Sequence, residues 1–103
     1  FHEGHRFMVF PYSVTWRLVE AQEVPCKVMI TAPKRKLRHA VDRNRAKRLT
    51  RELYRHAKPR LYEALGERRL LLSISYIHTS LLPHAKLAPK FDKMLTTLID
   101  QLP

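Results

Sequence analysis

The side chains in this sequence that could perform acid–base chemistry are six scattered histidines. Two imidazoles at a phosphodiester can act as general base and general acid, so a histidine-dependent ribonuclease is one hypothesis. The histidines are His2, His5, His39, His56, His78 and His84. No pair of them has a spacing that predicts convergence on one site. We therefore expect these side chains to lie on the surface or to face phosphates.

Acidic residues are too few and too dispersed for a two-metal centre. Asp42, Asp92 and Asp100 fall on different predicted elements, whereas two-metal catalysis needs carboxylates that converge on both ions. The sequence contains no glycine-rich phosphate loop and no nucleophile motif. Cys26 has no zinc-ligand spacing around it and is typical of a small buried residue at a strand start. We expect no catalytic residue and no metal site in the protein itself.

A run of cations between residues 34 and 55 gives the strongest chemical signal. Ten of its 22 residues are Lys or Arg, and only Asp42 and Glu52 interrupt the positive charge. Solvated helix faces normally mix Glu with Lys four residues apart, so this excess indicates an anionic partner. Arginine dominates the run beyond residue 40, and its planar fork binds two phosphate oxygens or stacks on a base. The run therefore predicts contact with structured RNA.

The whole chain has the same charge bias. Its 103 residues contain 20 Lys and Arg against 9 Asp and Glu, which gives a formal net charge of +11. A polyanionic partner explains this excess, which folding does not require. We expect no membrane association, because no run approaches the ~18 apolar residues of a spanning helix and no signal segment is recognisable. The single cysteine excludes an internal disulfide and favours a reducing cytoplasm.

Three apolar runs with a period of two residues predict the strands that must support the cationic run. The first covers residues 6–18, and Pro11 within it indicates an edge strand or a bulge. The second covers residues 28–32 and follows a polar connection of hairpin length at residues 19–25. The third covers residues 70–77. Each strand is expected to have one apolar face and one partly polar face.

The cationic run is itself predicted to form a helix from Arg43, because good helix formers continue without Gly or Pro until Pro59. Its apolar arc consists of Ala46, Leu49, Leu53 and Ala57. A further short turn is expected at residues 60–65, with Gly66 as its left-handed stop. A second helix, beginning near Pro89, should close the core. The order strand, strand, helix, strand, helix predicts one compact α+β domain over residues 1–103.

Residues 40–48, with Arg51 and Glu52, resemble the RNR signature of the ribonuclease P protein family. In that family a strand ending in Val-x-Lys-Lys/Arg leads to Ala-Val-x-Arg-Asn-Arg-x-Lys-Arg-x-x-Arg-Glu. This sequence reads Ala-Val-Asp-Arg-Asn-Arg-Ala-Lys-Arg over residues 40–48. Residues 28–35 are similar to the family's strand, and residues 1–4 look like the end of its N-terminal helix, most of which is absent from the sequence.

The resemblance implies a small central sheet packed by the RNR helix and a C-terminal helix, as in ribonuclease P protein and a ribosomal protein domain. It implies a ribonucleoprotein endoribonuclease in which a catalytic RNA with bound Mg²⁺ releases the 5′ leader of precursor tRNA. We expect ribonuclease P RNA and precursor tRNA as partners, and no obligate protein partner. Matching positions assign the contacts with the RNA subunit to Arg43, Asn44, Arg45, Lys47, Arg48 and Arg51, with Lys34, Arg35 and Lys36 on the approach.

The resemblance also implies a cleft, formed by the sheet and the N-terminal helix, that holds the leader strand. Single strands are usually held by aromatic stacking beside a basic groove. The aromatic residues on the predicted strands are Phe10, Tyr12, Trp16 and Tyr76. All four lie on the predicted apolar face, where core packing competes with stacking. Tyr12 and Trp16 are the candidates for contact with the leader.

Three alternatives to a ribonuclease P subunit stay open. Another structural RNA binder, such as a ribosomal protein, fits the composition equally well, and only the RNR spacing argues against it. The second is the histidine-dependent ribonuclease. The third is a helix-turn-helix DNA binder with residues 43–55 as recognition helix. That class needs a partner helix just upstream, where the sequence predicts a strand.

Overall fold

A computed structural model gives the structure of residues 4–20 and 22–103. The elements are β1 (His5–Val9), β2 (Tyr12–Val19), β3 (Cys26–Thr31), α1 (Ala40–Leu65), β4 (Arg69–Tyr76) and α2 (His84–Gln101). The strands form one sheet in the order β1-β2-β4-β3, and the core lies between the sheet and the two helices. The predicted α+β class is confirmed. Neither helix has the length and apolarity needed to cross a membrane.

Residues 6–18 form a hairpin of two strands, so the prediction of one strand with an edge position or bulge at Pro11 was wrong. Phe10 and Pro11 form the turn between β1 and β2, and Val9 pairs with Tyr12. Residues that pair across strands point to the same face. The side chains that face the helices therefore have even residue numbers in β2 and odd residue numbers in β1. A single alternating pattern could not describe both strands.

Strand β4 occupies a central position between β2 and β3. It runs antiparallel to β2 and parallel to β3, so the connection at residues 19–25 does not form the expected hairpin. Parallel neighbours need a long crossover connection, which α1 supplies between β3 and β4. The central position of β4 also agrees with its composition, since Leu70, Leu72 and Ile74 are all buried.

Helix α1 is continuous for 26 residues, so the prediction that it ends before Pro59 was wrong. Leu61 and Leu65 lie beyond Pro59 and are buried, and their packing keeps the last turns aligned with the rest of the helix. Pro59 itself is exposed, where one missing backbone hydrogen bond is tolerated. The predicted stop at Gly66 is confirmed by a φ of 61°.

Helix α2 begins at His84, five residues before the predicted start near Pro89. Leu87 in the first turn is fully buried, and this contact explains why the helix extends to the N-terminal side of Pro89. The apolar residues beyond it, including Phe91 and Met94, pack on the sheet as predicted. The C-terminal helix therefore closes the core.

The face of the sheet opposite the helices, here called the open face, carries no helix in the described part of the chain. Strand register places five hydroxyl residues near its centre. They are Ser13, Thr15, Thr31, Ser73 and Ser75. The side chains of Met8 and Met29 lie on the same face and are exposed. The Thr31 and Ser75 hydroxyl oxygens are 2.5 Å apart. The predicted contrast between an apolar and a partly polar face is confirmed.

Candidate nucleic-acid interface

The solvent side of the first three turns of α1 forms a shallow concave surface of about 500 Å³. It is lined by Val41, Asn44, Arg45, Lys47, Arg48 and Arg51. We call this surface the arginine patch. The opposite side of the helix packs on the core through Ala46, Thr50 and Leu53, which are buried. Five of the six residues assigned to the RNA subunit are therefore brought together on one accessible surface.

The cations of the arginine patch have no acidic partner within residues 4–20 and 22–103. The ion pairs there lie elsewhere: Glu52 contacts Arg55 at 2.6 Å and His56 at 3.1 Å, and Arg60 contacts Asp92 at 3.0 Å. The hydrogen bond from Arg55, assisted by His56, lowers the pKa of Glu52. Glu52 thus stays ionised beside its own partners, and the positive charge of the patch is left available to an external anion.

Residues 32–39, here called the approach loop, lead from β3 into α1. A turn is closed by backbone N–H groups of Lys36 and Leu37, which donate to the Pro33 carbonyl at 3.0 and 3.1 Å. Leu37 is buried and anchors the loop on the core. Lys34 and Arg35 are exposed and Lys36 is half-buried. The loop therefore holds three of the predicted RNA-contacting cations at a fixed place next to the start of α1.

Arg43 has a structural role that the sequence did not indicate. Its guanidinium donates through Nη1 to the carbonyl oxygens of Leu37 and Arg38, each at 2.9 Å. This contact fastens the approach loop to the first turn of α1. A contact with residues five and six positions upstream has no periodic signature, so the pattern of the helix could not reveal it. Direct contact of Arg43 with RNA stays a prediction.

The structure does not support Tyr12 and Trp16 as residues that stack on the leader. Their side chains are 0% and 2% exposed. The Tyr12 hydroxyl lies 3.1 Å from that of Thr50. Trp16 donates from Nε1 to Gln101 at 2.8 Å, and His5 stacks on its ring at 4.3 Å. Both side chains lie on the face of the sheet that packs against the helices. The core packing there leaves no room for a nucleotide base.

The described histidines lie in separate surroundings. His5 stacks on Trp16, His56 contacts Glu52, and His78 lies against Phe10, while His2 is outside the described residues. In residues 4–20 and 22–103, no group of three or more His, Cys, Asp or Glu could hold a metal ion. Cys26 begins β3 and is buried as predicted, and burial raises the pKa of its thiol.

Comparison with known proteins agrees with the signature on α1. A family model described as Ribonuclease P matches residues 1–97. The chain is similar to the ribonuclease P protein component of Porphyromonas gingivalis, with 38% identity over 81 residues that cover 78% of this chain and 59% of that protein. It is also similar to the ribonuclease P protein component of Chlorobaculum tepidum, with 36% identity over 86 residues, 74% of this chain and 56% of that protein.

The chain spans somewhat more than half the length of the curated relatives it matches. No solved structure matches it. The family model nevertheless covers the sheet, the approach loop, α1 and most of α2, which include every residue of the arginine patch. On this evidence of sequence and architecture, the chain belongs to the ribonuclease P protein family.

Proposed function

We propose that this chain is a protein subunit of ribonuclease P and binds ribonuclease P RNA through the arginine patch and the approach loop. The observation that carries the proposal is the cationic surface of α1, which has no acidic partner in the described chain. An array of guanidinium groups on a rigid helix matches phosphate oxygens on a folded RNA. Asn44 lies among these cations and can both donate to and accept from RNA groups.

We assign hydrolysis of precursor tRNA to the RNA subunit and its bound Mg²⁺. Asp42 lies on α1, whereas Asp92 and Asp100 both lie on α2, so the prediction that all three fall on different elements was wrong. The two on α2 lie eight positions apart, and the three carboxylates do not form a donor set for this ion. We therefore derive no step through a protein-bound metal. The contribution of the chain is electrostatic: its cations reduce the repulsion between two polyanions, the RNA subunit and its substrate.

The 5′ leader is proposed to cross the open face. This surface offers the hydroxyl groups of residues 13, 15, 31, 73 and 75 and the exposed side chains of Met8 and Met29. Arg6 and Lys27 lie on the same face and are exposed. Cations and hydroxyl groups suit a sugar-phosphate strand of any sequence. Tyr12 and Trp16 have no part in this proposal.

We also propose that the protein works in the cytoplasm, in contact with precursor tRNA. A reducing compartment is compatible with Cys26, a free and buried thiol. Fractionation of the source cells with an antibody to the chain would test this placement.

Reconstitution tests the proposed function. The chain is mixed with a bacterial ribonuclease P RNA and precursor tRNA at low Mg²⁺, and leader release is measured. We expect the wild-type chain to stimulate cleavage. In the variant Arg45→Ala/Arg48→Ala the stimulation should be at least about tenfold smaller, because each charge-assisted contact contributes about 1.5–3 kcal/mol. Arg43 is left unchanged because its substitution would also disturb the approach loop.

The matched control is Lys90→Ala/Lys93→Ala, which removes the same charge from exposed positions on α2. It should stimulate cleavage like the wild type. Absence of stimulation by the wild-type chain, or equal loss in both double variants, would refute the proposal. Cleavage by the protein alone, abolished by His39→Ala or His56→Ala, would instead identify a histidine-dependent ribonuclease.

A further inference from the structure

A row of four rings runs from the core to the surface at the end of the sheet where α1 begins. Tyr12 meets Tyr76 edge-on with ring centroids 6.0 Å apart. His78 lies nearly parallel to the Tyr76 ring at 6.5 Å, and Phe10 tilts against His78 at 5.0 Å. Tyr12 and Tyr76 are buried, whereas Phe10 is 51% exposed. We call these four residues the ring row, and Phe10 is its exposed end.

Hydrogen bonds hold the outer part of the ring row in place. The Tyr76 hydroxyl donates to the Ser80 carbonyl at 2.7 Å and accepts from the Leu82 N–H at 3.0 Å. The Ser80 N–H donates to His78 Nδ1 at 3.1 Å, which fixes the imidazole ring. Phe10 thus rests on a support that is already ordered. A preformed support lowers the entropic cost of binding a ligand against it.

Cationic elements flank the ring row on two sides. His78 lies two residues beyond the end of β4. Strand β4 pairs with β3 at a spacing of about 4.8 Å, and β3 leads into the approach loop. On the side of α1, Arg45 and His84 line a groove of about 270 Å³ together with Leu49 and residues 81–83. Leu82, whose N–H donates to the Tyr76 hydroxyl, also lines this groove, so Arg45 borders the loop that holds the ring row.

Exposure alone would not distinguish Phe10, because single apolar side chains are common on protein surfaces. Val24, for example, is 40% exposed in the connection between β2 and β3, at the other end of the sheet. Phe10 differs in resting on the ordered His78 ring, at the end of a row whose supporting loop borders a groove lined by Arg45. Proteins hold unpaired nucleotides in this way, with an aromatic face for the base and basic groups for the phosphates.

We propose that Phe10, backed by His78, stacks against an unpaired base of the RNA subunit bound by the arginine patch. The inference rests on the proposed function and adds to it a contact outside the RNR signature. We assign the base to the RNA subunit and not to the leader because the ring row is anchored by Tyr12 and Tyr76, which lie on the side of the sheet that packs on α1. The open face lies on the other side.

Substitution of Phe10 by Leu tests the stacking contact. Leu keeps an apolar side chain but has no aromatic face. We expect the affinity for ribonuclease P RNA to fall about tenfold, the effect of losing one stacked base. The slope of log affinity against log salt should stay unchanged, because no phosphate contact is lost. Val24→Ala is the control and should bind like the wild type. Wild-type affinity of Phe10→Leu would overturn the proposal.

A fluorescent variant gives a second readout that does not depend on how Phe10→Leu folds. In Phe10→Trp the new indole should stack on the base, and its emission should fall when ribonuclease P RNA is added. Trp16 is buried and supplies a constant background, and Val24→Trp should show no change. Unchanged emission of Phe10→Trp at saturating RNA would overturn the proposal.

Two further arms separate the possible causes of failure. Precursor tRNA with its leader, added without the RNA subunit, should leave the emission of Phe10→Trp unchanged. Quenching by this RNA alone would assign the base to the leader and overturn the inference. If the wild-type chain does not bind ribonuclease P RNA at all, the proposed function itself fails. Binding that is weakened by Arg45→Ala/Arg48→Ala but insensitive to Phe10 would leave the proposed function intact and reject only the stacking contact.

Discussion

Arg43 belongs to the RNR signature by its sequence, but its guanidinium holds the backbone of its own chain. Its two hydrogen bonds end at carbonyl groups of the approach loop. The neighbouring Arg45 is exposed and makes no such contact. Two arginines of one motif therefore have separable roles, one in positioning the interface and one in forming its surface.

We predict that Arg43→Ala lowers the free energy of unfolding by about 1–2 kcal/mol, because charge-assisted hydrogen bonds to the loop are lost. Arg45→Ala should change it by less than about 0.5 kcal/mol, as is usual for exposed positions. Urea denaturation of the two variants at the same ionic strength would measure the difference. Equal destabilisation by both substitutions would contradict the assigned roles.

Thr50 is a buried hydroxyl that the sequence did not identify. It donates to the Ala46 carbonyl at 2.8 Å, so the Tyr12 hydroxyl is the donor in the 3.1 Å contact between the two residues. We predict that Thr50→Val costs about 1–3 kcal/mol, since Tyr12 would keep a buried donor without an acceptor. In a Tyr12→Phe background the same substitution should cost at least about 0.5 kcal/mol less. Additive costs in this double-mutant cycle, measured by denaturation, would show that the hydrogen bond is not formed.

Burial of tyrosine side chains makes stability depend on alkaline pH. Burial raises the pKa of Tyr12 to about 12 and raises those of Tyr54 and Tyr76. The folded chain keeps the Tyr12 proton at pH values where the unfolded chain releases it near pH 10. The contribution is therefore complete below pH 10 and is lost as the pH rises from 10 to 12, by about 2–3 kcal/mol for Tyr12. Unfolding free energies measured across this range should fall less steeply for Tyr12→Phe.

At the scale of elements, the period of the apolar residues was sufficient to place β3 and β4 to within about two residues and to identify both helices, but not to set the bounds of the helices. The pattern gave wrong element bounds at three prolines, where the tertiary packing around the proline decides whether an element ends. Pro11 ends one strand and starts another with the opposite parity, while Pro59 and Pro89 are carried inside helices because buried leucines pack on both sides of them. The order of strands was also hidden, because pairing between distant segments leaves no local pattern.

We predict that Pro59→Ala raises the free energy of unfolding by about 1 kcal/mol or more. The substitution restores a backbone N–H at an exposed position of α1 and relieves the contact of the proline ring with the preceding turn. Denaturant midpoints of the variant and the wild type would measure the change. A lower midpoint for the variant would mean that Pro59 stabilises this helix in some other way.

Over the whole molecule, the structure places the predicted cations on one surface of α1 but buries Tyr12 and Trp16, which the sequence had suggested for a binding surface. The cations could be placed because the charged side chains of an amphipathic helix must lie on its solvent side, opposite the side that packs on the core. Tyr12 and Trp16 were misassigned because a ring on a strand is either core or binding surface depending on which face the helices cover. That choice is made by the tertiary structure. The ring row could not be predicted from the sequence, because Phe10 is exposed only as a result of its position in the hairpin turn between β1 and β2.

We predict a steep salt dependence for the affinity of the chain for ribonuclease P RNA. Contacts by the seven assigned cations, four of the patch and three of the loop, would lower the affinity about 10³- to 10⁴-fold between ~50 and 200 mM salt. The variant Arg45→Ala/Arg48→Ala should reduce the slope of log affinity against log salt by about two, whereas Lys90→Ala/Lys93→Ala should not change it. A shallow slope for the wild type would argue against a phosphate-dominated interface.

The central place of β4 in the sheet affects when the interface can form during synthesis. Residues 5–65 supply three strands and the whole of α1, but β2 and β3 have no contact with each other until β4 pairs with both. A ribosome-bound chain that ends before residue 69 thus has a hairpin and a helix without a common scaffold. Assembly with RNA during translation should therefore begin only after β4 has left the exit tunnel.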